Sequence, residues 1–157
     1  MGQKILVALD DSKNAMRTIE FIAKTFSQSE NDITLFSVIP DTAALCDMNS
    51  PELTPYFLSQ QSNFCQLEEQ KKQLVNEALK QARDILVKAG FDKDRVRLKV
   101  QVKKRGIARD IIEEAHSGYS IIVMGRRGLS GVQEFMLGSI SQKVIHGVKD
   151  VSVLIVN

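Results

Sequence analysis

The sequence predicts an α/β fold: an open parallel sheet with helices on both faces. Two observations predict it. Near-continuous apolar runs alternate along the chain with segments of helical periodicity, the pattern of strands joined by crossover helices. The chain of 157 residues also has the size of a single domain with one substantial core, and no internal repeat divides it.

Lys4 to Leu9 is a near-continuous apolar run, as expected of a strand buried on both faces. Asp10, Asp11 and Ser12 follow, with Ser12 a good helix N-cap. Ala15, Met16, Ile19, Ile22, Ala23 and Phe26 then recur at helical spacing, and the polar stretch Ser27 to Asn31 ends that helix. Ile33 to Ile39 reads as a second buried strand, stopped by Pro40. Residues 41 to about 61 carry Pro51, Pro55 and scattered polar residues, so a long, lid-like loop is expected there. A long amphipathic helix follows, with Leu67, Leu74, Val75, Ala78, Leu79, Ala82, Ile85 and Leu86 on one face and Gly90 as its stop.

Val96, Leu98, Val100 and Val102 alternate strictly with charged or polar residues. One face of this strand is therefore wet, which places it at the sheet edge. Gly106 opens a short helix carrying Ala108, Ile111, Ile112 and Ala115, closed at Ser117-Gly118. Ile121 to Met124 is another fully apolar strand. A glycine-punctuated loop from Gly125 to Gly138 leads into a helix with Val144, Ile145 and Val148, and Val151 to Val156 is the last strand.

Composition narrows the function classes. Apolar residues at 43% and charged residues at 25% are those of an ordinary globular chain. A formal charge of +2 offers no bulk attraction to nucleic acid or an anionic membrane. No apolar stretch approaches a membrane span. The N-terminal apolar run meets Asp10 too soon for a signal peptide, and Leu6 stands where a myristoylation pattern wants Ser or Thr. A cytoplasmic protein is expected, with Cys46 and Cys65 as reduced thiols and a disulfide between them the alternative. The two cysteines and two histidines assemble no metal-ligand cluster.

The segment from Met124 to Ser141 carries the chemistry. It leaves the carboxyl end of a buried strand and runs into the start of a helix, and in parallel sheets ligands bind in that crevice. Gly125 and Gly128 let the backbone approach a ligand closely. Gly138 and Ser139 fall where a helix N-terminus would present N–H groups to a phosphate. The Ser139 and Ser141 hydroxyls can donate to phosphate oxygens or help hold a hydrated Mg²⁺. The first strand delivers Asp10 to the same crevice, where it can accept from a ribose or a base edge or bind a metal through water; simple capping of the first helix is a compatible alternative. Val38, at the end of the second strand, can form an apolar wall for an adenine ring.

Enzymatic readings find less support. The chain has no GxxxxGK[ST] loop, no GxSxG elbow and no Cys/His pairing, so no catalytic residue is assigned. GRRGLSG is GxxGxxG and falls late in the chain, which counts against a dinucleotide-binding oxidoreductase.

Gly125 and Gly128, then nine residues, then Gly138-Ser139 resembles the ATP-binding signature of the universal stress protein family. The N-terminal VALDDS and the terminal LIV resemble it too, and the likeness covers essentially the whole chain. It implies a five-stranded parallel sheet in the order 3-2-1-4-5, and a homodimer joined through the last strand. It implies that Asp10 and Val38 contact the nucleoside, and that Met124, Gly125 and Gly128 line the ribose and phosphate path. Gly138, Ser139, Ile140 and Ser141 would hold the phosphates. The expected function is ATP binding in a stress-response or signalling module without efficient catalysis, the alternative being a slow ATPase or phosphotransferase at the same site. Asp11, the Tyr119-Ser120 pair and Ser152 depart from residues common in the family.

Overall fold

The computed structural model describes residues 2–10, 13–49, 51–126 and 137–157. Its strands are β1 (Lys4–Ala8), β2 (Asp32–Ile39), β3 (Val96–Val102), β4 (Ile121–Gly125) and β5 (Ser152–Val156). Its helices are α1 (Lys13–Thr25), α2 (Ala43–Cys46), α3 (Pro55–Lys88), α4 (Ile107–Ala115) and α5 (Ser139–Gly147). The strands form one sheet in the order β3-β2-β1-β4-β5, and every neighbouring pair is parallel. This is the predicted fold and the predicted order.

The apolar runs are continuous because both faces of the central strands are covered. Along β1, Ile5 and Val7 join a cluster on one face with Ile19 and Ile22 of α1 and Leu79, Ala82 and Leu86 of α3. Leu6, between them, joins a second cluster on the other face with Ala108 and Ile111 of α4 and Val144 of α5. Burying each of these Ile, Leu and Val side chains contributes on the order of 1.5–3 kcal/mol, so these strands anchor the molecule.

At the sheet edge, β3 turns Val96, Leu98 and Val100 toward the α1/α3 face. The opposite face is wet only in part. Lys99 Nζ reaches Glu114 Oε2 at 2.6 Å, and Tyr119 donates its hydroxyl to Glu114 Oε1 at 3.1 Å. Glu114 itself is buried.

Two expectations are corrected in the segment between β2 and the middle of α3. Residues 41 to 61 do not form one long loop. They hold the one-turn helix α2, and α3 already begins at Pro55. Thr54 caps α3, its Oγ1 accepting from Phe57 N at 3.2 Å, and Pro55 fits the first turn, where its missing N–H has no partner to lose. The start of the helix escapes a periodicity search because its first turns bury nothing: Tyr56, Leu58 and Phe64 are exposed. At the other end Gly90 acts as predicted, taking φ 108° just after the helix while Phe91 N bonds back to Leu86 O.

The second correction concerns the cysteines. Cys46 and Cys65 are not free thiols but form a disulfide, with Cα atoms 5.8 Å apart. Beside it, Gln61 Nε2 donates to the carbonyls of Leu45 and Met48. α2 has no buried residue, so these links to α3 hold it in place. α3 carries Cys65 to α2 because the helix already runs through residues 55–65, a stretch that no buried apolar face marks, although Thr54-Pro55 fits a helix start. The thiols therefore lend no support to a reducing compartment.

Candidate functional site

The strand order reverses between β1 and β4, and at that switch point a crevice of about 740 Å³ opens beyond the carboxyl ends of the strands. Its size is that of sites for small molecules and cofactors. β1 brings Asp10 to it, β2 brings Val38, β4 brings Met124 and Gly125, and the start of α5 brings Gly138, Ser139, Ile140 and Ser141. These eight of the expected residues share one cavity. Gly128, the ninth, lies outside the described residues, as do Asp11 and Ser12.

The α5 end is built for an anion. Gly138 precedes the helix with φ −59° and ψ 150°, and its own N–H is used by the carbonyl of Arg126 at 2.8 Å. The N–H groups of the first helical turn have no intrahelical acceptor, and the helix dipole adds partial positive charge beside them. Gly138 is buried and Ser139 is exposed, so the backbone here faces the cavity with one flexible hydroxyl at its rim. Among the described residues the Ser139 hydroxyl has no hydrogen-bond partner.

Ser141 is different. It is buried, and its Oγ donates to Gly125 O at 2.9 Å, tying the end of β4 to the first turn of α5. Its proton is thus committed to the protein, while its oxygen still lines the crevice. Met124, also buried, forms the floor with Phe36 and Ile111, and Val38 is half-buried among the same cluster. The floor is apolar, as the flat face of a purine requires.

One wall was missed by sequence reasoning. Glu68, Lys71, Lys72 and Val75 of α3 line the cavity with Pro40 and Thr42. A signal for them exists. Leu86, Ala82 and Leu79 form the buried seam of α3, and stepping back along the same face by alternate threes and fours reaches Val75, Lys72, Glu68, Cys65 and Gln61. The seam is apolar where it meets the sheet and turns polar where the helix projects beyond it. Lys71 Nζ sits 3.0 Å from Glu68 Oε1, and the Glu68 side chain is only 13% exposed.

Among the described residues the charged groups lining the cavity are two acidic, Asp10 and Glu68, and two basic, Lys71 and Lys72, so their charges balance and an anionic ligand would owe its placement to the α5 end. Among the described residues no group of His, Cys, Asp and Glu could hold a metal ion, and no helix is long and apolar enough to cross a membrane.

Comparison with known proteins agrees with this architecture. The model of the universal stress protein family matches residues 1–157. The chain is 32% identical to the universal stress protein Sll1388 of Synechocystis, over 98% of this chain and 96% of that one. Among solved structures it is similar to the hypothetical protein MJ0577, with a TM-score of 0.72, 22% identity and coverage of 98% and 94%. It is also similar to a universal stress protein in complex with cAMP, with a TM-score of 0.62, 19% identity and coverage of 99% and 96%.

Proposed function

The chain belongs to the universal stress protein family, and on that footing we propose that its one domain binds an adenine nucleotide, ATP, in the crevice at the end of the sheet. One observation carries the reading: an apolar floor ends at the N-terminus of a nine-residue helix whose first turn is open to the cavity. Phosphates would lie on the N–H groups of Ser139, Ile140 and Ser141 and on the Ser139 hydroxyl. The ribose would lie near Asp10, and the base against Val38 and Met124. A similar chain of this fold holds cAMP, which supports an adenine nucleotide as the ligand class. Mg²⁺, where present, would be held by phosphate oxygens and water, with the Ser139 and Ser141 hydroxyls as the described side-chain oxygens that could help at the phosphate end.

The same residues support a stress-response or signalling module rather than an efficient enzyme, because the chain has no lysine of the kind that a P-loop sends to the terminal phosphates. A second reading, slow ATP hydrolysis or phosphoryl transfer, has Asp10 in its favour, a carboxylate in the same cavity. A homodimer joined through β5 and a cytoplasmic setting go with either reading.

Identification of the nucleotide released when purified protein is denatured tests the ligand, with ATP expected. Absence of any nucleotide, together with no heat on titration with ATP, would overturn the proposal. Turnover of radiolabelled ATP that is lost in Asp10→Ala would favour the second reading.

A further inference from the structure

The polar wall on α3 stands at the end of the crevice away from the phosphate cradle. α3 packs on the sheet face that carries Leu79, Ala82 and Leu86, whereas α5 packs on the opposite face. Along the crevice the strand ends follow in the order β4, β1, β2, two strand spacings or about 10 Å in all. A ligand with phosphates at the start of α5 therefore passes Gly125 and Asp10 and reaches Val38 and Pro40 with its base. Glu68 lines the same crevice from the α3 wall.

Glu68 is half satisfied. Its Oε1 accepts from Lys71 Nζ at 3.0 Å, while among the described residues Oε2 has no hydrogen-bond partner. The side chain is 13% exposed and lines the cavity. A carboxylate so enclosed, on a residue that lines the crevice and with one oxygen unpartnered among the described residues, can take up a donor on a ligand. Lys71 fixes its orientation from the exposed side.

We propose that Glu68 is the specificity-determining residue of the nucleotide site, accepting a hydrogen bond from the exocyclic amine of the purine, with Lys71 as its positioning residue. The inference rests on the nucleotide reading above. A carboxylate oxygen only accepts, so it favours adenine, which carries an amine at position 6. It disfavours hypoxanthine, which carries a carbonyl there and would set two acceptors against each other.

Calorimetry with ATP and ITP tests it, because the two differ at that edge of the base and share every phosphate. Wild type is expected to bind ATP about tenfold or more tightly than ITP, the scale of one hydrogen bond to a charged group. In Glu68→Ala, ATP binding should weaken and ITP binding should strengthen, bringing the ratio to within about twofold. A merely structural pair would move both nucleotides together. Lys71→Ala should lower the ratio by a smaller factor. Both variants lie on the part of α3 that projects from the core and are expected to keep the wild-type circular dichroism and melting temperature.

Wild type that binds ATP and ITP alike, or Glu68→Ala that keeps the wild-type ratio, would overturn the role of Glu68 and leave the nucleotide site standing. Wild type that binds neither nucleotide would overturn both.

Discussion

At the cradle, two serines two positions apart do different work. Ser139 offers a hydroxyl with no described partner, whereas the Ser141 proton bridges to Gly125 O. Ser139→Ala should cost ATP on the order of 1.5–3 kcal/mol of affinity, the worth of a hydrogen bond to a charged group, and leave adenosine unaffected. Ser141→Ala should instead lower stability by about 1 kcal/mol, read as a drop in melting temperature. Gly138→Val places a branched side chain at a buried position facing the cavity. ATP affinity should fall at least about tenfold, or 1.4 kcal/mol, at any salt concentration. Equal affinities for ATP in calorimetry of the folded variant and wild type would refute the cradle. A third site at this scale is Tyr119, where burial pushes the phenol above its usual value of 10.0, the nearby Glu114 acting in the same direction. The folded state thus holds the proton more tightly than the unfolded state. The contribution is whole below pH 10 and is lost as the pH rises through the raised value. Tyr119→Phe should remove that alkaline loss. At neutral pH it should cost about 1–3 kcal/mol, because Glu114 loses a donor inside the protein.

Among the elements, those that bury an apolar face were legible in the sequence and those that do not were hidden. The central strands showed as runs because helices cover both their faces, and β3 showed as an edge because Arg97, Lys99 and Gln101 alternate with its valines and Leu98. The beginning of α3 stayed hidden for the converse reason, and the Cys46–Cys65 bond was hidden with it. The candidate site divides along the same line. Asp10, Val38, Gly125, Gly138, Ser139 and Ser141 follow from topology, glycine spacing and the helix start, whereas Met124 and Ile140 came only from the family resemblance. Glu68 and Lys72 needed the register of α3 against the sheet, which periodicity reveals only once the buried seam is known. The tether of α2 has a measurable consequence. Reduction of the disulfide frees a short helix with no buried residue, so hydrogen exchange over residues 41–49 should rise while β1, β2 and β4 stay protected. Opening a loop whose ends are 19 residues apart should also lower overall stability by up to about 3 kcal/mol. Exchange over residues 41–49 that is the same with and without a dithiol reductant would show that packing on α3, not the bond, holds α2.

For the whole molecule, the open question is what becomes of the two sheet edges. The β3 edge is guarded by Arg97, Lys99 and Gln101, with Lys99 drawn to Glu114, the kind of charged edge that resists pairing. The β5 edge has no such guard. Among the described residues it pairs only with β4, and Val153, Leu154 and Ile155 are half-buried in the single chain. Ser152 N and Val156 O turn inward, bonding to Ser120 O and Arg126 N. By strand alternation the N–H groups of Val153 and Ile155 therefore turn outward. A second copy placed edge to edge would satisfy those groups and cover the apolar side chains together. Sedimentation at micromolar concentration is expected to show a dimer. Val153→Pro removes one outward donor without touching the ladder to β4, a change an edge strand tolerates. It should give a folded monomer that still binds ATP, because the crevice lies at the carboxyl ends of β4, β1 and β2, where β5 contributes no lining residue. A wild-type protein that stays monomeric under those conditions would mean that β5 is an edge left open, and a dimer that survives Val153→Pro would place the interface on another surface.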